Sequence, residues 1–380
     1  MTRSAELRAA MVDQLDAGGT FTDPAWRKAA EAVPRELFVG SYFAPVPDSS
    51  PTAYRGVHAH DAGWLEGIYT DQTLITQFDG TTRPTDTGNE HVSGVPSSSS
   101  TLPSLVLDMW QQVDAQPGDR VIEIGMGTGY STALGAHRLG DSNITTIEYD
   151  PVVAAAASAA LQAAGYRPRV IVGDGLRGDP DGGQYDRLIA TCAVRYIPLP
   201  WLYQVKPGGK ILVTLSGWSL AYGLALLTVT DPGRATGRFL PGWTSFMVAR
   251  PHDRPPRQSL NLLPGDERPT RIDPEIISTW TGGWVAQLAA PSAERMGMGA
   301  SQILSDVSTG SQARTAPHPD GGWTVIQRGP LRLWDQVEQA VEEWQKAGEP
   351  HQEAFGITIS DTGQRVWIST ENGPGWNLPV

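Results

Sequence analysis

The stretch Val121-Ile122-Glu123-Ile124-Gly125-Met126-Gly127-Thr128-Gly129-Tyr130 decides the fold of this chain. Four residues typical of a buried strand run into a glycine-rich turn, and a helical pattern begins directly after the turn. Glycine is needed where the backbone turns sharply and passes close to a ligand. The spacing is G-x-G-x-G rather than the G-x-G-x-x-G of dinucleotide sites, so it favours a nucleoside that has no pyrophosphate.

Strand and helix patterns alternate around this turn. Runs typical of buried strands lie at 120–124, 144–148, 169–172, 185–191 and 210–215, and helical patterns lie at 131–139 and 152–164. Strands that alternate with helices predict a parallel sheet that is covered on both faces. We therefore predict an α/β, doubly wound, Rossmann-like core over residues 101–250, with Gly208-Gly209 as the turn before the fifth strand.

Each of the first three predicted strands finishes in an acidic residue. Glu123 lies at the end of the first strand, Glu148 ends the second, and Asp174 ends the third. The carboxyl ends of parallel strands share one edge of the sheet, where open α/β sheets bind ligands. S-adenosyl-L-methionine fits such an edge. We expect its cationic methionine part near Glu123, its ribose hydroxyls at Glu148 and its adenine amino group at Asp174.

The neighbours of these acids complete the predicted cofactor site. Tyr149 either covers the adenine or packs in the core, and the sequence leaves both readings open. The predicted cofactor-binding residues are Glu123, Gly125, Gly127, Gly129, Tyr130, Glu148, Tyr149, Asp174 and Gly175.

The residues that flank this core differ from it in composition. Residues 1–100 are predicted as an N-terminal helical and substrate-loop region, with a long polar loop from Gly80 to Pro96. Residues 251–274 are rich in proline and arginine and are predicted as a linker. Residues 275–380 are predicted as a small α+β domain with a hairpin around Asp361-Thr362-Gly363. This domain is tryptophan-rich, which suits either a packed core or peptide recognition.

Composition excludes several classes of protein. The formal net charge of −12 over 380 residues disfavours a nucleic-acid partner, because phosphate backbones require a cationic surface. The single cysteine, Cys192, excludes an intramolecular disulfide framework. No apolar run approaches the roughly 20 residues of a membrane helix, and the first residues lack the apolar segment of a signal peptide. We therefore expect a cytoplasmic protein without a membrane partner or a metal site.

Motifs along the first 250 residues occur in a recognisable order. The segments Ala32–Val39, Ile68–Ile75, Glu123–Tyr130, Val172–Gly175 and Val205–Lys210, with Pro103 and Met109, together resemble the protein-L-isoaspartate O-methyltransferases. The resemblance implies a class I methyltransferase core that uses S-adenosyl-L-methionine. It also implies methylation of a carboxylate on an aspartyl or isoaspartyl residue of a polypeptide.

The chain departs from this family at the catalytic T-I-S motif. Its counterpart is Pro96-Ser97-Ser98-Ser99-Ser100-Thr101-Leu102-Pro103, in which the serine of the family maps to Thr101. The predicted catalytic residues are therefore Ser98, Ser99, Ser100 and Thr101. The alternative is a polar turn in which Thr101 or Ser100 caps the following helix.

The C-terminal third is a second departure, because the short repair enzymes lack it. Together with the serine-rich motif, it resembles a divergent branch associated with the maturation of ribosomally made peptides, namely graspetides, lanthipeptides and lasso peptides. The resemblance implies methylation of an ordinary aspartate in a constrained precursor peptide, after which the ester cyclises to an aspartimide.

The proposed chemistry needs few groups. A carboxylate is ionised at neutral pH and is already a nucleophile, so the enzyme must mainly hold the reactants in line. A hydroxyl can donate a hydrogen bond to one carboxylate oxygen and leave the other free to attack. Arg195 follows the fourth strand and is predicted to pair with a substrate carboxylate or with a neighbouring acid. Cys192 is predicted as a small residue near the substrate or in the core.

Several functions remain open from the sequence. The leading hypothesis is methylation of a peptide or protein, with a modified precursor peptide as the partner. The alternatives are L-isoaspartyl repair, a small-molecule methyltransferase, and a cofactor-binding recognition protein without catalysis. The oligomeric state stays undetermined.

Overall fold

The computed structural model describes residues 2–88, 90–256 and 264–380. The chain forms two compact units, Met1–Thr191 with Gln204–Leu212 and Cys192–Tyr203 with Val213–Val380. Within the described ranges, no helix is both long enough and apolar enough to cross a bilayer.

The first unit contains two sheets and the helices that cover them. Its helices are α1 (Arg3–Ala17), α2 (Pro24–Ala32), α3 (Trp64–Ile68), α4 (Pro84–Thr87), α5 (Pro103–Gln112), α6 (Tyr130–Leu139) and α7 (Pro151–Ala163). Its strands are β1 (Ser41–Pro45), β2 (Tyr54–His58), β3 (Leu74–Phe78), β4 (Pro96–Ser100), β5 (Val121–Ile124), β6 (Ile144–Glu148) and β7 (Arg169–Val172). Three further elements cross the division between the units: β8 (Tyr185–Val194), α8 (Leu199–Gln204) and β9 (Val205–Ser216).

The predicted parallel sheet is present in the first unit. Strand β5 runs parallel to β6 and β8, and β6 runs parallel to β7. The strand order is β9-β8-β5-β6-β7, so β6 and β7 follow β5 on one side and β8 and β9 lie on the other side. Open α/β sheets bind ligands at such a switch in strand order. Every residue of β5 and β6 is buried, as expected for strands covered on both faces.

The glycine pair before the fifth predicted strand is not a turn. Strand β9 begins at Val205 and includes Gly208 and Gly209. A Cβ at Gly209 would lie 2.7 Å from the main-chain oxygen of Asp186, so this glycine marks a close backbone approach within the sheet.

A second, antiparallel sheet of the first unit has the order β2-β1-β3-β4. The sequence predicted a loop from Gly80 to Pro96, but this segment contains α4 and the first residue of β4. The run of serines forms β4, which pairs antiparallel with β3 at the edge of the sheet. Its polar composition hid the strand, because short strands are usually rich in β-branched and aromatic residues.

The described residues of the second unit form mainly antiparallel strands, together with helices. Its strands are β10 (Tyr222–Asp231), β11 (Arg234–Phe239), β12 (Asp266–Pro269), β13 (Ala293–Met298), β14 (Ser301–Asp306), β15 (Gln312–Pro317), β16 (Trp323–Arg328), β17 (Phe355–Ser360), β18 (Gly363–Ile368) and β19 (Gly375–Asn377). Its helices are α9 (Trp280–Ala289) and α10 (Leu333–Lys346). The predicted hairpin around Asp361-Thr362-Gly363 is confirmed as β17 and β18. Trp284 and Trp334 are fully buried, so part of the tryptophan content serves a packed core.

The boundaries of the two observed units differ from the segment boundaries that the sequence composition indicates. Strand β11, predicted within the 101–250 core, pairs with β17 of the C-terminal third. Part of the predicted 251–274 linker forms β12, which pairs with β16. These pairings join segments far apart in sequence, and no local pattern signals them. Residues 257–263 of the predicted linker lie outside the described residues.

Candidate active site

The glycine-rich turn connects β5 to α6. Gly125, Gly127 and Gly129 have φ angles of 94°, 54° and 88°, which side chains with a Cβ rarely adopt. A Cβ at Gly127 would also lie 3.1 Å from the main-chain oxygen of Ser99. The turn therefore requires glycine for its conformation, and β4 packs directly against it.

Glu148 supports this turn from the end of β6. Its Oε2 accepts a hydrogen bond from the main-chain N–H of Gly127 at 2.8 Å, and its Oε1 accepts one from the N–H of Asp150 at 3.0 Å. The side chain is 8% exposed. The structure thus places Glu148 beside the turn, at the edge where the sequence predicts a ribose contact.

Glu123 lies beneath the turn rather than at the open edge. Its Oε2 accepts hydrogen bonds from the hydroxyls of Thr132 and Thr146, the latter at 2.8 Å. The residue is completely buried, and Oε1 has no hydrogen-bond partner. Burial raises the pKa of the Glu123 carboxyl above its usual range. The expectation of an acid at the strand tip is corrected here, because the two threonines hold this carboxyl inside the core.

Asp174 and Tyr149 lie at the adjoining strand ends. The main-chain N–H of Gly173 donates to the carbonyl of Glu148 at 2.9 Å, which joins the end of β7 to the end of β6. Asp174 accepts a hydrogen bond from the N–H of Leu176 at 3.0 Å and caps a short 3-10 helix. Tyr149 is half exposed. Both side chains therefore remain candidates for contact with an adenine.

Gly175 leaves no room for a side chain. A Cβ there would lie 2.6 Å from Cγ2 of Ile124, the last residue of β5. This glycine allows β7 and the following 3-10 helix to approach the glycine-rich turn closely.

The ring of Tyr130 faces the core of the first unit. It lies 6.0 Å from the ring of Phe38, and the Arg35 guanidinium is 5.6 Å from its centroid. Burial raises the pKa of Tyr130 to about 12. A contact of Tyr130 with a nucleoside would therefore involve its main chain.

In the serine strand β4 and the residue after it, the hydroxyl side chains from Ser98 to Thr101 alternate between a buried and a partly exposed face. Ser98 and Ser100 are 8% and 2% exposed, whereas Ser99 and Thr101 are partly exposed. This alternation is that of a β-strand. The alternative prediction, in which Thr101 or Ser100 caps the next helix, is wrong, because Leu102 is the N-cap of α5 and makes no side-chain cap.

The two buried hydroxyls are already engaged. Ser98 accepts a hydrogen bond from Thr76 at 3.2 Å, and Ser100 accepts one from Arg35 at 3.4 Å. In the part of the chain that the structure describes, the hydroxyls of Ser99 and Thr101 have no hydrogen-bond partner. Ser99 and Thr101 are therefore the two of the four predicted catalytic residues whose hydroxyls are available to a substrate.

Arg35 is a supporting residue that the sequence did not single out. Its guanidinium donates to five main-chain carbonyls at 2.8–3.2 Å: those of Ile68, Thr70, Gln72, Ser100 and Thr101. Arg35 is completely buried, and none of the described acids lies within ion-pair distance of it. Burial lowers its pKa to about 10. Its place in the quoted motif Ala32–Val39 was the available signal, but the motif does not reveal which carbonyls it binds.

The start of α5 is held by two side chains of the segment Ile68–Ile75. The N–H of Ser104 donates to Asp71 at 2.9 Å, and the N–H of Leu102 donates to Thr73 at 3.2 Å. These contacts satisfy two N–H groups at the start of the helix, which have no partner within it. They fix the chain directly after Thr101.

The predicted substrate residues Cys192 and Arg195 belong to the second unit. The guanidinium of Arg195 lies 3.6 Å from the ring centroid of Trp218 and donates to the carbonyl of Pro291 at 3.0 Å. Burial lowers its pKa. The predicted pairing with a neighbouring acid is wrong for the described residues, since no carboxylate among them reaches Arg195. Cys192 is partly exposed, and the substrate roles of both residues stay predictions.

Within residues 2–88, 90–256 and 264–380, no group of three or more His, Cys, Asp or Glu side chains is arranged to hold a metal ion.

A family model matches the part of the chain that contains the candidate site. Residues 85–220 match the family model "Protein-L-isoaspartate(D-aspartate) O-methyltransferase (PCMT)". This range contains the serine strand, the glycine-rich turn and the strand ends that carry Glu148 and Asp174.

Curated relatives have the same family name. A protein-L-isoaspartate O-methyltransferase of Hyperthermus butylicus is 38% identical over 146 residues, which are 36% of this chain and 60% of the relative. That of Aeropyrum pernix is 29% identical over 236 residues, which are 61% of this chain and 75% of the relative. The chain spans only 52% to 60% of the length of several relatives that it matches.

A solved structure supports the fold. A protein-L-isoaspartate O-methyltransferase aligns with a TM-score of 0.56 and 18% identity, over 96% of this chain and all of that chain. At this identity the likeness concerns the fold, and it confirms the predicted Rossmann-like class I methyltransferase architecture. The family match and the relatives together show that this part of the chain is similar in sequence to protein-L-isoaspartate O-methyltransferases.

Proposed function

We propose that this protein is an S-adenosyl-L-methionine-dependent O-methyltransferase that methylates a side-chain carboxylate in a peptide or protein. One observation carries the proposal. The main-chain oxygen of Ser99 lies against Gly127, while the Ser99 hydroxyl remains without a partner among the described residues. A strand with an available donor thus lies beside a turn suited to a nucleoside.

The cofactor is S-adenosyl-L-methionine, and the residues present fit it. Glu148 offers a carboxylate at the strand edge, close to the position expected for ribose hydroxyls. Glu123 has a buried oxygen without a donor, which favours a positively charged ligand above the turn. Asp174 and Tyr149 complete the edge on the side expected for the adenine.

The acceptor needs no activation by a base. When bound, the cofactor supplies a methyl group that a carboxylate takes up as a methyl ester. The hydroxyls of Ser99 and Thr101 can each donate to one carboxylate oxygen and orient the other. Arg35 holds the carbonyls of Ser100 and Thr101, so these donors are fixed before the substrate arrives.

The finer proposal concerns the substrate. The serine run in place of T-I-S supports an ordinary aspartate in a constrained, ribosomally made peptide as the acceptor. Attack of a backbone amide nitrogen on the methyl ester then forms an aspartimide and releases methanol. The partly exposed face of β4, which carries Ser99, offers small side chains to such a peptide.

L-isoaspartyl repair is the second candidate. The solved protein-L-isoaspartate O-methyltransferase aligns over 96% of this chain, so the C-terminal third does not by itself distinguish peptide maturation from repair. Both candidates share the same carboxyl methylation and differ in the acceptor.

Mass spectrometry separates the candidates. The full chain is incubated with S-adenosyl-L-methionine and three peptides of one sequence: a cyclic peptide with aspartate, its linear form and a linear form with isoaspartate. Gain of one methyl group followed by loss of methanol on the cyclic peptide supports the finer proposal. Methylation of the isoaspartyl peptide alone supports repair. Cofactor binding without transfer to any peptide or protein would favour a recognition protein without catalysis.

A further inference from the structure

The buried side chain of Gln77 in β3 has contacts in opposite directions, with Ser97 and with Asp150. Its Oε1 accepts a hydrogen bond from the hydroxyl of Ser97 on β4 at 2.8 Å. Its Nε2 donates to Oδ2 of Asp150 at 3.1 Å. The side chain therefore connects the serine strand to the segment that follows β6.

Asp150 continues this connection to the candidate nucleoside site. Its N–H donates to Oε1 of Glu148 at 3.0 Å, and the other carboxylate oxygen of Glu148 accepts from the N–H of Gly127 at 2.8 Å. Asp150 also caps α7, with Oδ1 accepting from the N–H of Val152 at 2.9 Å. A continuous set of hydrogen bonds thus runs from Ser97 to the glycine-rich turn.

Burial makes these contacts specific. Gln77, Asp150 and Glu148 are 2%, 5% and 8% exposed. A hydrogen bond in such surroundings is stronger than one in water, and an unpaired polar group is costly. The two ends of the Gln77 amide have opposite polarity, so one orientation satisfies both partners.

We propose that Gln77 is a positioning residue that couples nucleoside binding at Glu148 to the placement of β4. Ser97 lies where the register between β3 and β4 shifts, two residues before Ser99. A fixed Ser97 therefore fixes the course of the strand segment that carries Ser99. A ligand on Glu148 restrains Asp150, and Gln77 transmits this restraint to the serine strand. The inference rests on the proposed function, because it assumes a nucleoside at Glu148.

Hydrogen exchange of the full chain tests this coupling, with S-adenosylhomocysteine as the probe. In the unsubstituted protein, the probe should slow exchange of the amides in residues 97–101. We expect about fivefold slowing, the factor for one hydrogen bond of ~1 kcal/mol. In Gln77→Met the slowing should disappear, while the probe still raises the melting temperature.

Thr76→Val is the matched control. Thr76 also contacts β4, through Ser98, but has no contact with Asp150. This variant should keep the slowing that the probe causes, although the strand itself exchanges faster. If Gln77→Met unfolds below the assay temperature, Ser97→Ala breaks the other end of the same connection on a partly exposed residue and should show the same loss.

The outcomes distinguish the two proposals. If the probe raises the melting temperature of both proteins and slows β4 equally in both, Gln77 has no coupling role and the inference is overturned. If the probe leaves the melting temperature of the unsubstituted protein unchanged, the proposed function fails instead. Loss of slowing in Thr76→Val as well would show that any weakening of β4 has this effect, which also overturns the inference.

Discussion

The nucleoside edge and the serine strand of the first unit are built in different ways. The edge is formed by consecutive strand ends and a glycine-rich turn, so its residues lie in short, ordered segments of sequence. The serine strand is held by buried polar side chains from distant segments, chiefly Arg35 and Gln77. The strand ends therefore follow from local sequence within a broadly shared fold, whereas the placement of the serine strand depends on particular long-range contacts.

Removing Arg35 should have the largest effect, a loss of stability caused by weaker support of the serine strand. Arg35→Met removes this donor from five carbonyls, of which those of Ile68 and Ser100 belong to buried residues. Each buried carbonyl left without a donor costs about 1–3 kcal/mol. Because the loop and strand can partly relax, we expect a loss of about 4 kcal/mol in the free energy of unfolding. Urea denaturation followed by tryptophan fluorescence measures this loss.

Arg55→Met is the control for Arg35→Met. Arg55 is exposed, and its replacement should change stability by less than about 0.5 kcal/mol. Equal stability of the two variants would mean that the buried guanidinium does not organise the serine strand.

Replacing Ser99 should reduce catalysis and spare the cofactor site. A hydrogen bond to a charged group contributes about 1.5–3 kcal/mol, so Ser99→Ala should lower kcat/KM for the peptide about 10- to 100-fold. Calorimetry with S-adenosylhomocysteine should give the same affinity as the unsubstituted protein. Ser98→Ala removes a buried hydroxyl on the opposite face and should affect stability more than catalysis. The reverse pattern would assign the acceptor contact to the other face of β4.

A clash at Gly175 should weaken the nucleoside edge. In Gly175→Ala the new methyl group would lie 2.6 Å from Ile124, and such overpacking costs about 1–3 kcal/mol. Displacement of Ile124 moves the start of the glycine-rich turn, so the affinity for S-adenosylhomocysteine should fall as well. Gly173→Ala is a matched control, since nothing lies within 4 Å of its Cβ position. Similar affinities for both variants would separate this glycine from the cofactor site.

The sequence was sufficient for the strand ends around the glycine-rich turn because the signals for these elements are local. Strands at 144–148 and 169–172 were predicted with the ends that the structure has, and Glu148 lies beside the turn as expected. Glu123 was placed too far towards the open edge, since the hydroxyl donors of α6 and β6 that hold it cannot be read from its own segment.

The serine strand was harder to predict. Four successive serines indicate a loop or a cap, and only pairing with β3 makes them a strand. The contacts of Arg35 with Ser100 and of Gln77 with Ser97 span 65 and 20 positions of the chain. Such contacts depend on the folded arrangement, so the sequence offered four candidate hydroxyls where the structure leaves two available.

The smallest predicted effect is a pH dependence of folding stability and of cofactor affinity that arises from Glu123. It tests whether the charge of this carboxyl contributes to binding of the cationic cofactor. Burial raises the pKa of this carboxyl in the folded protein above its unfolded value. Its contribution to folding stability is therefore complete below the unfolded pKa and is lost as the pH rises through the folded pKa. Cofactor affinity should change in the opposite direction, because a cationic ligand prefers the ionised carboxyl.

Titration calorimetry with S-adenosyl-L-methionine, from below the unfolded pKa of Glu123 to above its folded pKa, measures the change in cofactor affinity. The affinity of the unsubstituted protein should rise with pH, whereas that of Glu123→Gln should stay level, since the amide does not ionise. The variant should also lose the corresponding fall in stability. Parallel pH profiles of the two proteins would mean that the buried carboxyl braces Thr132 and Thr146 but contributes no charge to binding. The glycine-rich turn and Glu148 would then determine the affinity of the nucleoside edge.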